Sequence, residues 1–123
     1  MSRRLVVTGA SAAALVALAA GCGRGTTHAA VAGSSIEHGR TLIAYYGCGA
    51  CHRIAGVTPQ GTVGPSLVGF ANNRQIAGTL PNTVDNLVHW IRDPQAVLPR
   101  SDMPDLGVGE PGARDIAAYL YSH

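Results

Sequence analysis

The sequence contains no lysine and few charged or aromatic residues. Charged side chains make up 13% of the 123 residues, about half the usual share, and aromatic side chains only 5%. The length suits one domain, and a domain with so few aromatic residues has little large apolar surface from which to build a core. This composition favours a fold whose centre is filled in part by something other than side chains.

Positive charge is also scarce once the N-terminal segment is set aside. Residues 1–21 have the layout of a signal peptide, with Arg3 and Arg4 before the apolar stretch Leu5–Ala20. That stretch is shorter than the roughly 20 residues that cross a bilayer, so an uncleaved anchor is the less favoured alternative. After cleavage, seven arginines face seven acidic residues. The resulting net charge near zero argues against nucleic-acid binding.

Only three cysteines are present, and the first of them, Cys22, follows this segment. The stretch AAGC, residues 19–22, resembles the lipobox of bacterial lipoproteins, in which the cysteine becomes the N-terminus and carries lipid. The alternative is an ordinary cleavage site with an incidental cysteine, but a lone thiol in an oxidising compartment invites unwanted disulfides. The resemblance predicts an exported protein that is lipid-anchored on the periplasmic side of the bacterial inner membrane, with residues 22–34 as a flexible tether.

The folded domain is predicted to span residues 35–123 and to contain three helices. Apolar residues at helical spacing, together with capping residues, place these helices at Ser35–Gly47, Val84–Asp93 and Pro111–Ser122. Ser35 and Thr83 are the expected N-caps of the first two. The remaining chain shows no strand alternation and is interpreted as two long loops, Arg53–Leu80 and Gln95–Gly109. Loops of this length are unusual unless they serve a function, such as wrapping a large cofactor.

The other two cysteines lie in CGACH, residues 48–52. This C-x-x-C-H pattern is the attachment motif of c-type haem. The thiols of Cys48 and Cys51 each add to one vinyl group of the porphyrin to form a thioether, and His52 is directed beneath the ring, where its imidazole binds iron. An exported chain suits this chemistry, because bacteria attach haem covalently outside the cytoplasm.

Three other uses of the cysteine pair remain open at this point. A thioredoxin-type redox pair normally has a β-α-β setting, and no strand is predicted here. A zinc site needs more ligands than the motif supplies, and the other histidines lie scattered through the domain, at His38, His89 and His123. The third alternative is a structural disulfide between the two cysteines.

The second iron ligand is predicted from a single methionine. Met1 is lost with the signal peptide, so Met103, which Pro104 follows in a polar loop, is the remaining thioether. A thioether sulfur favours ferrous iron and raises its reduction potential. The alternatives are a packing or surface methionine, and ligation by His89 beside Trp90 on the second predicted helix.

Two further residues are candidates for contacts around the iron site. Pro65 follows His52 by thirteen residues, and a ligating imidazole usually donates its other N–H to a carbonyl or carboxylate. Trp90 is the only tryptophan. Its indole N–H needs a partner if it is buried, and a haem propionate would serve, with plain core packing as the alternative.

Four stretches, CGACH, GTVGPSLVG, MPDLGV and DIAAYL, occur in the order found in class I c-type cytochromes, which residues 35–123 resemble. The resemblance implies an all-α cytochrome c fold, with three main helices and long loops around one covalently bound haem c. It also implies that the first and last helices cross, with Gly39 giving clearance for an aromatic side chain such as Tyr119.

The same resemblance implies the residues that bind the cofactor. His52 and Met103 are the expected axial ligands, the Pro65 carbonyl accepts a hydrogen bond from His52, and Arg74 and Trp90 lie near the propionates. An iron with both axial positions filled has no open site for substrate. The predicted function is therefore a single-electron carrier between docked redox proteins rather than an enzyme. The alternative is a haem enzyme, or a sensor of gas or peroxide, in which Met103 is labile.

Residues 77–97, AGTLPNTVDNLVHWIRDPQAV, resemble more closely the cytochrome c domain of subunit II in some bacterial haem–copper oxidases. This resemblance implies a role in a respiratory chain, with a terminal oxidase as a candidate partner.

Overall fold

In a computed structural model of the protein, residues 31–123 are described, and they form four helices and one short hairpin. The helices are α1 (Ile36–Tyr45), α2 (Val84–Arg92), α3 (Pro94–Val97) and α4 (Glu110–Ser122). Strands β1 (Gln75–Ile76) and β2 (Leu80–Pro81) pair antiparallel, with Gln75 opposite Pro81 and Ile76 opposite Leu80. Single 3₁₀ turns occur at Cys48–Ala50 and Phe70–Asn72. The predicted signal peptide, Cys22 and the tether up to residue 30 lie outside the described residues.

Side-chain caps define where the helices begin. Ser35 Oγ accepts from the N–H of His38 at 3.1 Å at the start of α1, and Thr83 Oγ1 accepts from the N–H of Asn86 at 3.3 Å at the start of α2. Each cap satisfies a backbone donor that has no partner within its helix. The three helices predicted from the sequence are present, and their ends lie within two residues of the predicted ones.

The two predicted loops contain more regular structure than the sequence indicates. The hairpin lies at the end of the first loop, where strands of two residues are too short to produce a visible alternation. The helix α3 occupies the start of the second loop. Pro94 does end α2, as expected, but it is buried and takes the first position of this new helix, where a missing N–H costs nothing.

The core is built around the crossing of α1 and α4. Gly39 lies so close to α4 that a Cβ at this position would be 2.0 Å from the carbonyl oxygen of Asp115 and 3.1 Å from the nitrogen of Ile116. The atoms nearest to this position belong to the backbone of α4 and not to the side chain of Tyr119, for which the family resemblance implies the clearance. Tyr119 is buried, and its hydroxyl donates to the carbonyl of Ala55 at 2.7 Å.

One buried cluster fills the space between the helices, the hairpin and the first loop. Its members are Ile43, Ile54, Val57, Phe70, Ile76, Leu87, Val88, Ile91, Val108, Ala113, Ile116, Ala117, Tyr119 and Leu120. Cys48 and Trp90 are partly buried and pack against this cluster. Two of the predicted cofactor-binding residues thus border the core. Among residues 31–123, no helix combines the length and the apolar character needed to cross a membrane.

Candidate functional site

Cys48, Cys51 and His52 are brought together by the turn at residues 47–52, which we call the cysteine turn. It opens at Gly47, whose φ of 71° is a left-handed conformation that glycine adopts without strain. The N–H groups of Cys51 and His52 both donate to the carbonyl of Cys48, at 3.3 Å and 3.0 Å. One tight turn therefore carries both thiols and the imidazole.

Both cysteines of this turn are free thiols of intermediate exposure. Burial raises the pKa of the Cys48 thiol, and the nearby Cys51 acts in the same direction, while a backbone hydrogen bond opposes them. No disulfide joins the two sulfur atoms. The structure thus does not support the disulfide alternative, and both thiols are available for covalent attachment.

The imidazole of His52 is fixed by the loop that carries Gly64 and Pro65. Its Nδ1 lies 2.8 Å from the carbonyl oxygen of Pro65. Since a carbonyl only accepts, Nδ1 carries the proton, and Nε2 is the nitrogen that can bind a metal. Gly64 lies against the ring, because a Cβ there would be 2.5 Å from Cε1. The N–H of Gly64 also donates to the carbonyl of Cys51 at 2.8 Å, which ties the loop to the cysteine turn.

Two more glycines, Gly49 and Gly61, let the same loop lie directly on the cysteine turn, and a Cβ at Gly49 would be 2.5 Å from the carbonyl oxygen of Pro59. A Cβ at Gly61 would be 2.3 Å from the carbonyl oxygen of Ala50, and the N–H of Gly61 donates to the carbonyl of Gly49 at 2.8 Å. Next to it, the side-chain amide of Gln60 donates to two carbonyls of the loop, one of them that of Ile54 at 2.6 Å. The loop predicted from its glycine and proline content is therefore closely packed rather than loose.

Met103 lies in irregular chain that folds back towards α3. Its N–H donates to Ser101 Oγ at 3.1 Å, and its carbonyl accepts from Gln95 Nε2 at 2.7 Å. The Gln95 amide also reaches the carbonyl of Ser101, at 3.4 Å. The side chain of Met103 is partly buried. The sequence predicts no role for Gln95 or Ser101, because their contacts with Met103 depend on the helix α3, which the sequence does not indicate.

The other predicted residues lie on separate elements. Arg74 is exposed just before β1, and Trp90 is partly buried on α2. His89, the alternative iron ligand, is exposed in the last turn of α2. In the part of the chain that the structure describes, no hydrogen bond or ion pair links Met103, Arg74 or Trp90 to the cysteine turn.

The arrangement of the described residues argues against two alternatives to haem, the zinc site and the thioredoxin-type redox pair. Within residues 31–123, no three or more His, Cys, Asp and Glu side chains are grouped so that they could hold a metal ion. The zinc alternative therefore lacks its ligand set there, whereas a haem iron takes one protein ligand on each face. The thioredoxin alternative is also unsupported, because the strands in this part of the chain are the two-residue β1 and β2.

Most of the large exposed apolar side chains lie close in sequence to Pro65 or Met103. Six large hydrophobic side chains are exposed among the described residues, and four of them lie in these two regions: Val63, Val68, Leu98 and Leu106. Val63 is 84% exposed. Such side chains gain from contact with a large apolar group or with a partner protein. The two free thiols and the oriented imidazole are the residue types that covalent attachment of a haem needs.

Comparison with known proteins identifies a similar sequence in an oxidase. Over 88 residues, or 70% of this chain, the sequence is 36% identical to cytochrome c oxidase subunit 2 of Alkalihalophilus pseudofirmus. The chain is related to an oxidase subunit. It spans about a quarter of the length of that relative. No family model matches the chain. This similarity confirms the predicted relation to subunit II of an oxidase, whereas the resemblance to its cytochrome c domain stays a prediction.

Proposed function

We propose that residues 35–123 form a class I c-type cytochrome, a single-electron carrier with one haem c. The cysteine turn carries this proposal, because it combines two free, partly buried thiols with an imidazole whose Nδ1 is committed to a carbonyl. Cys48 and Cys51 would hold the haem through thioethers, and His52 Nε2 and Met103 Sδ would ligate the iron. When bound, the haem supplies a one-electron ferric–ferrous couple.

The chain itself contributes ligand orientation and polarity. The hydrogen bond from His52 to Pro65 fixes the rotation of the ring and increases its basicity. Arg74 and Trp90 are the proposed partners of the propionates. In support, the guanidinium of Arg74 has no carboxylate partner in residues 31–123, and the indole N–H of Trp90 makes no hydrogen bond there.

We propose a respiratory role for this carrier, with a terminal oxidase among its redox partners. The similarity to a cytochrome c oxidase subunit supports this setting. With both axial positions filled by the protein, the domain needs no substrate pocket, general base or nucleophile. It would exchange electrons with docked proteins through small and weak interfaces. The proposed location is the periplasmic side of the bacterial inner membrane, with lipid attached at Cys22.

The test is expression of the full chain in a bacterial host that matures c-type cytochromes. The wild type should keep its haem after denaturation and acid–acetone treatment, and a Cys48→Ala/Cys51→Ala double variant should lose it. Cys22→Ser is the matched control, because it removes the remaining cysteine and should still retain the haem. If haem extracts freely from the wild type, the proposal is wrong.

The second arm of this experiment examines Met103. Met103→Ala should lower the reduction potential, on the order of 0.1 V, and open the iron to carbon monoxide, since a neutral thioether raises the potential. His89→Ala, which removes the alternative ligand, should change neither property. An unchanged potential and an unchanged low-spin spectrum in Met103→Ala would exclude Met103 as a ligand. A wild type that is high-spin and binds carbon monoxide would instead support the haem enzyme or sensor.

A further inference from the structure

Both backbone polar groups of Met103 are held by side chains. Ser101 Oγ accepts from its N–H at 3.1 Å, and Gln95 Nε2 donates to its carbonyl at 2.7 Å. Among residues 31–123, the only other hydrogen bond that involves the segment 102–107 joins the N–H of Gly107 to Asp105 Oδ1. The two contacts of Met103 are therefore two of the three hydrogen bonds that restrain this irregular segment.

Gln95 belongs to α3, and local hydrogen bonds and the burial of Pro94 hold this short helix in place. The short helix α3 is capped by Asp93, whose Oδ1 accepts from the N–H of Ala96 at 2.9 Å. Pro94, at the first position of this helix, is among the most completely buried residues of the domain. The N–H of Leu98 then donates to the carbonyl of Pro94 at 2.8 Å, and the N–H of Ser101 donates to the carbonyl of Leu98 at 2.9 Å. A chain of local hydrogen bonds thus runs from α2 to the residue that contacts Met103.

We propose that Gln95, assisted by Ser101, is a positioning residue that pre-organises Met103 for binding to the haem iron. This inference rests on the proposed function. A neutral thioether is a weak ligand, and it stays bound only if little conformational freedom has to be lost when the bond forms. Gln95 would act through the backbone of Met103, and its loss would raise the population in which the sulfur is detached.

Three variants separate the contacts. Gln95→Ala removes the amide and both of its hydrogen bonds. Gln95→Glu keeps the length of the side chain but replaces the donor with an acceptor at neutral pH. Ser101→Ala removes the acceptor for the N–H of Met103. Gln60→Ala is the matched control, because the amide of Gln60 also donates to two backbone carbonyls, those of Ile54 and Val57, but in the loop beside His52.

The measurement is the affinity of ferric iron for added imidazole, which competes with Met103. Added imidazole binds the ferric protein only when the methionine is detached, so its apparent Kd is inversely proportional to the methionine-free fraction. Loss of the Gln95 contacts should lower this apparent Kd by about five- to tenfold. The long-wavelength charge-transfer band of methionine-ligated ferric haem should weaken in parallel. Gln60→Ala should keep the wild-type Kd and band, although its midpoint of unfolding in urea falls.

The outcomes separate this inference from the proposed function. If the wild type shows the band but all three variants keep its imidazole affinity, the inference is wrong and Met103 ligation stands. If Gln60→Ala weakens the methionine bond as much as Gln95→Ala does, the effect is one of general stability and the inference is also wrong. A wild type that lacks the band would overturn both Met103 ligation and the positioning role.

Discussion

At the scale of single residues, the position of the His52 ring depends on two consecutive residues, Gly64 and Pro65. Pro65 supplies the carbonyl that accepts from Nδ1, and Gly64 leaves the space that the ring occupies. The φ of Gly64 is not in the left-handed region, so its backbone conformation is open to other residues. The requirement at this position is therefore for space alone.

We expect Gly64→Ala to disturb the imidazole directly. The added Cβ would be 2.5 Å from Cε1 and 2.7 Å from Nδ1, so the ring must shift away from the Pro65 carbonyl. Such overpacking should lower the free energy of unfolding by about 1–3 kcal/mol. In the proposed haem-bound protein, the reduction potential should also change, because the His52 ring loses its hydrogen bond to Pro65. Urea unfolding and potentiometry of the haem-loaded protein measure the two effects.

Gly109→Ala is the matched control for this substitution. No atom lies within 4 Å of its added Cβ, and the φ of Gly109 is −68°. It should leave the potential unchanged and cost at most the small penalty of a poorer helix N-cap. A Gly64→Ala protein with wild-type stability and potential would show that Gly64 does not constrain His52.

The residues that the sequence could predict are those whose chemistry is contained in a short pattern. The cysteine turn has this property, and so does the hydrogen bond between His52 and Pro65, which the family resemblance implies. The roles of Gly64 and Gln95 cannot be predicted from the sequence, because they depend on which atoms the fold places next to these two residues. A glycine before a proline and a glutamine after one carry no such information in the sequence.

At the scale of elements, one carboxylate on α4 joins that helix to the start of α1. Asp115 Oδ1 accepts from the N–H of Ser35 at 2.7 Å, and its Oδ2 lies 2.6 Å from Nδ1 of His38. Ser35 is also the N-cap of α1. The carboxylate thus satisfies a backbone donor beside the positive end of α1, next to the close approach at Gly39.

This junction should make the stability of the domain sensitive to acid. Burial raises the pKa of Asp115, but the hydrogen bonds from Ser35 and His38 and the charge of His38 outweigh burial and lower it overall. A lowered pKa means that the folded state favours the carboxylate. Its stabilisation is therefore present above the usual pKa of about 3.9 and is lost as the pH falls through the lower folded pKa.

The corresponding measurement is the midpoint of urea unfolding as a function of pH. Below about pH 4, the wild type should lose stability more steeply than Asp115→Asn, which has no such carboxylate to protonate. Asp102→Asn is the control, because Asp102 is exposed and makes no side-chain hydrogen bond or ion pair in residues 31–123. Equal acid sensitivity in Asp115→Asn and the wild type would contradict this role.

Helices and strands can be predicted from the sequence when the residues that determine them lie close together in the chain. The helices α1, α2 and α4 carry both apolar periodicity and, for the first two, side-chain caps, and all three are found where they are expected. The hairpin and α3 are too short for either pattern. The crossing of α1 and α4 follows from the family resemblance, but the atoms that meet at Gly39 do not.

At the scale of the whole molecule, the balance of charge limits how the protein finds its partners. The seven arginines and seven acids downstream of the predicted signal peptide leave almost no net charge. Before any cofactor is counted, the net charge therefore contributes little long-range electrostatic steering. In the proposed role, encounter with a membrane-bound partner would then depend on local concentration, which a membrane anchor would raise.

The last prediction is that Cys22 anchors the domain to the membrane. The end of the predicted tether already belongs to the domain, since Val31 is buried and the N–H of Ser34 donates to its carbonyl at 3.1 Å. A lipoprotein cysteine carries at least two acyl chains, which hold firmly, so the wild type should stay with membranes through a high-salt wash. Cys22→Ser should appear in the soluble periplasmic fraction with its haem intact. The intact mass shows whether Cys22 carries lipid. A soluble wild type without a diacylglyceryl group would contradict the prediction, and the domain would then meet its partners at bulk concentration.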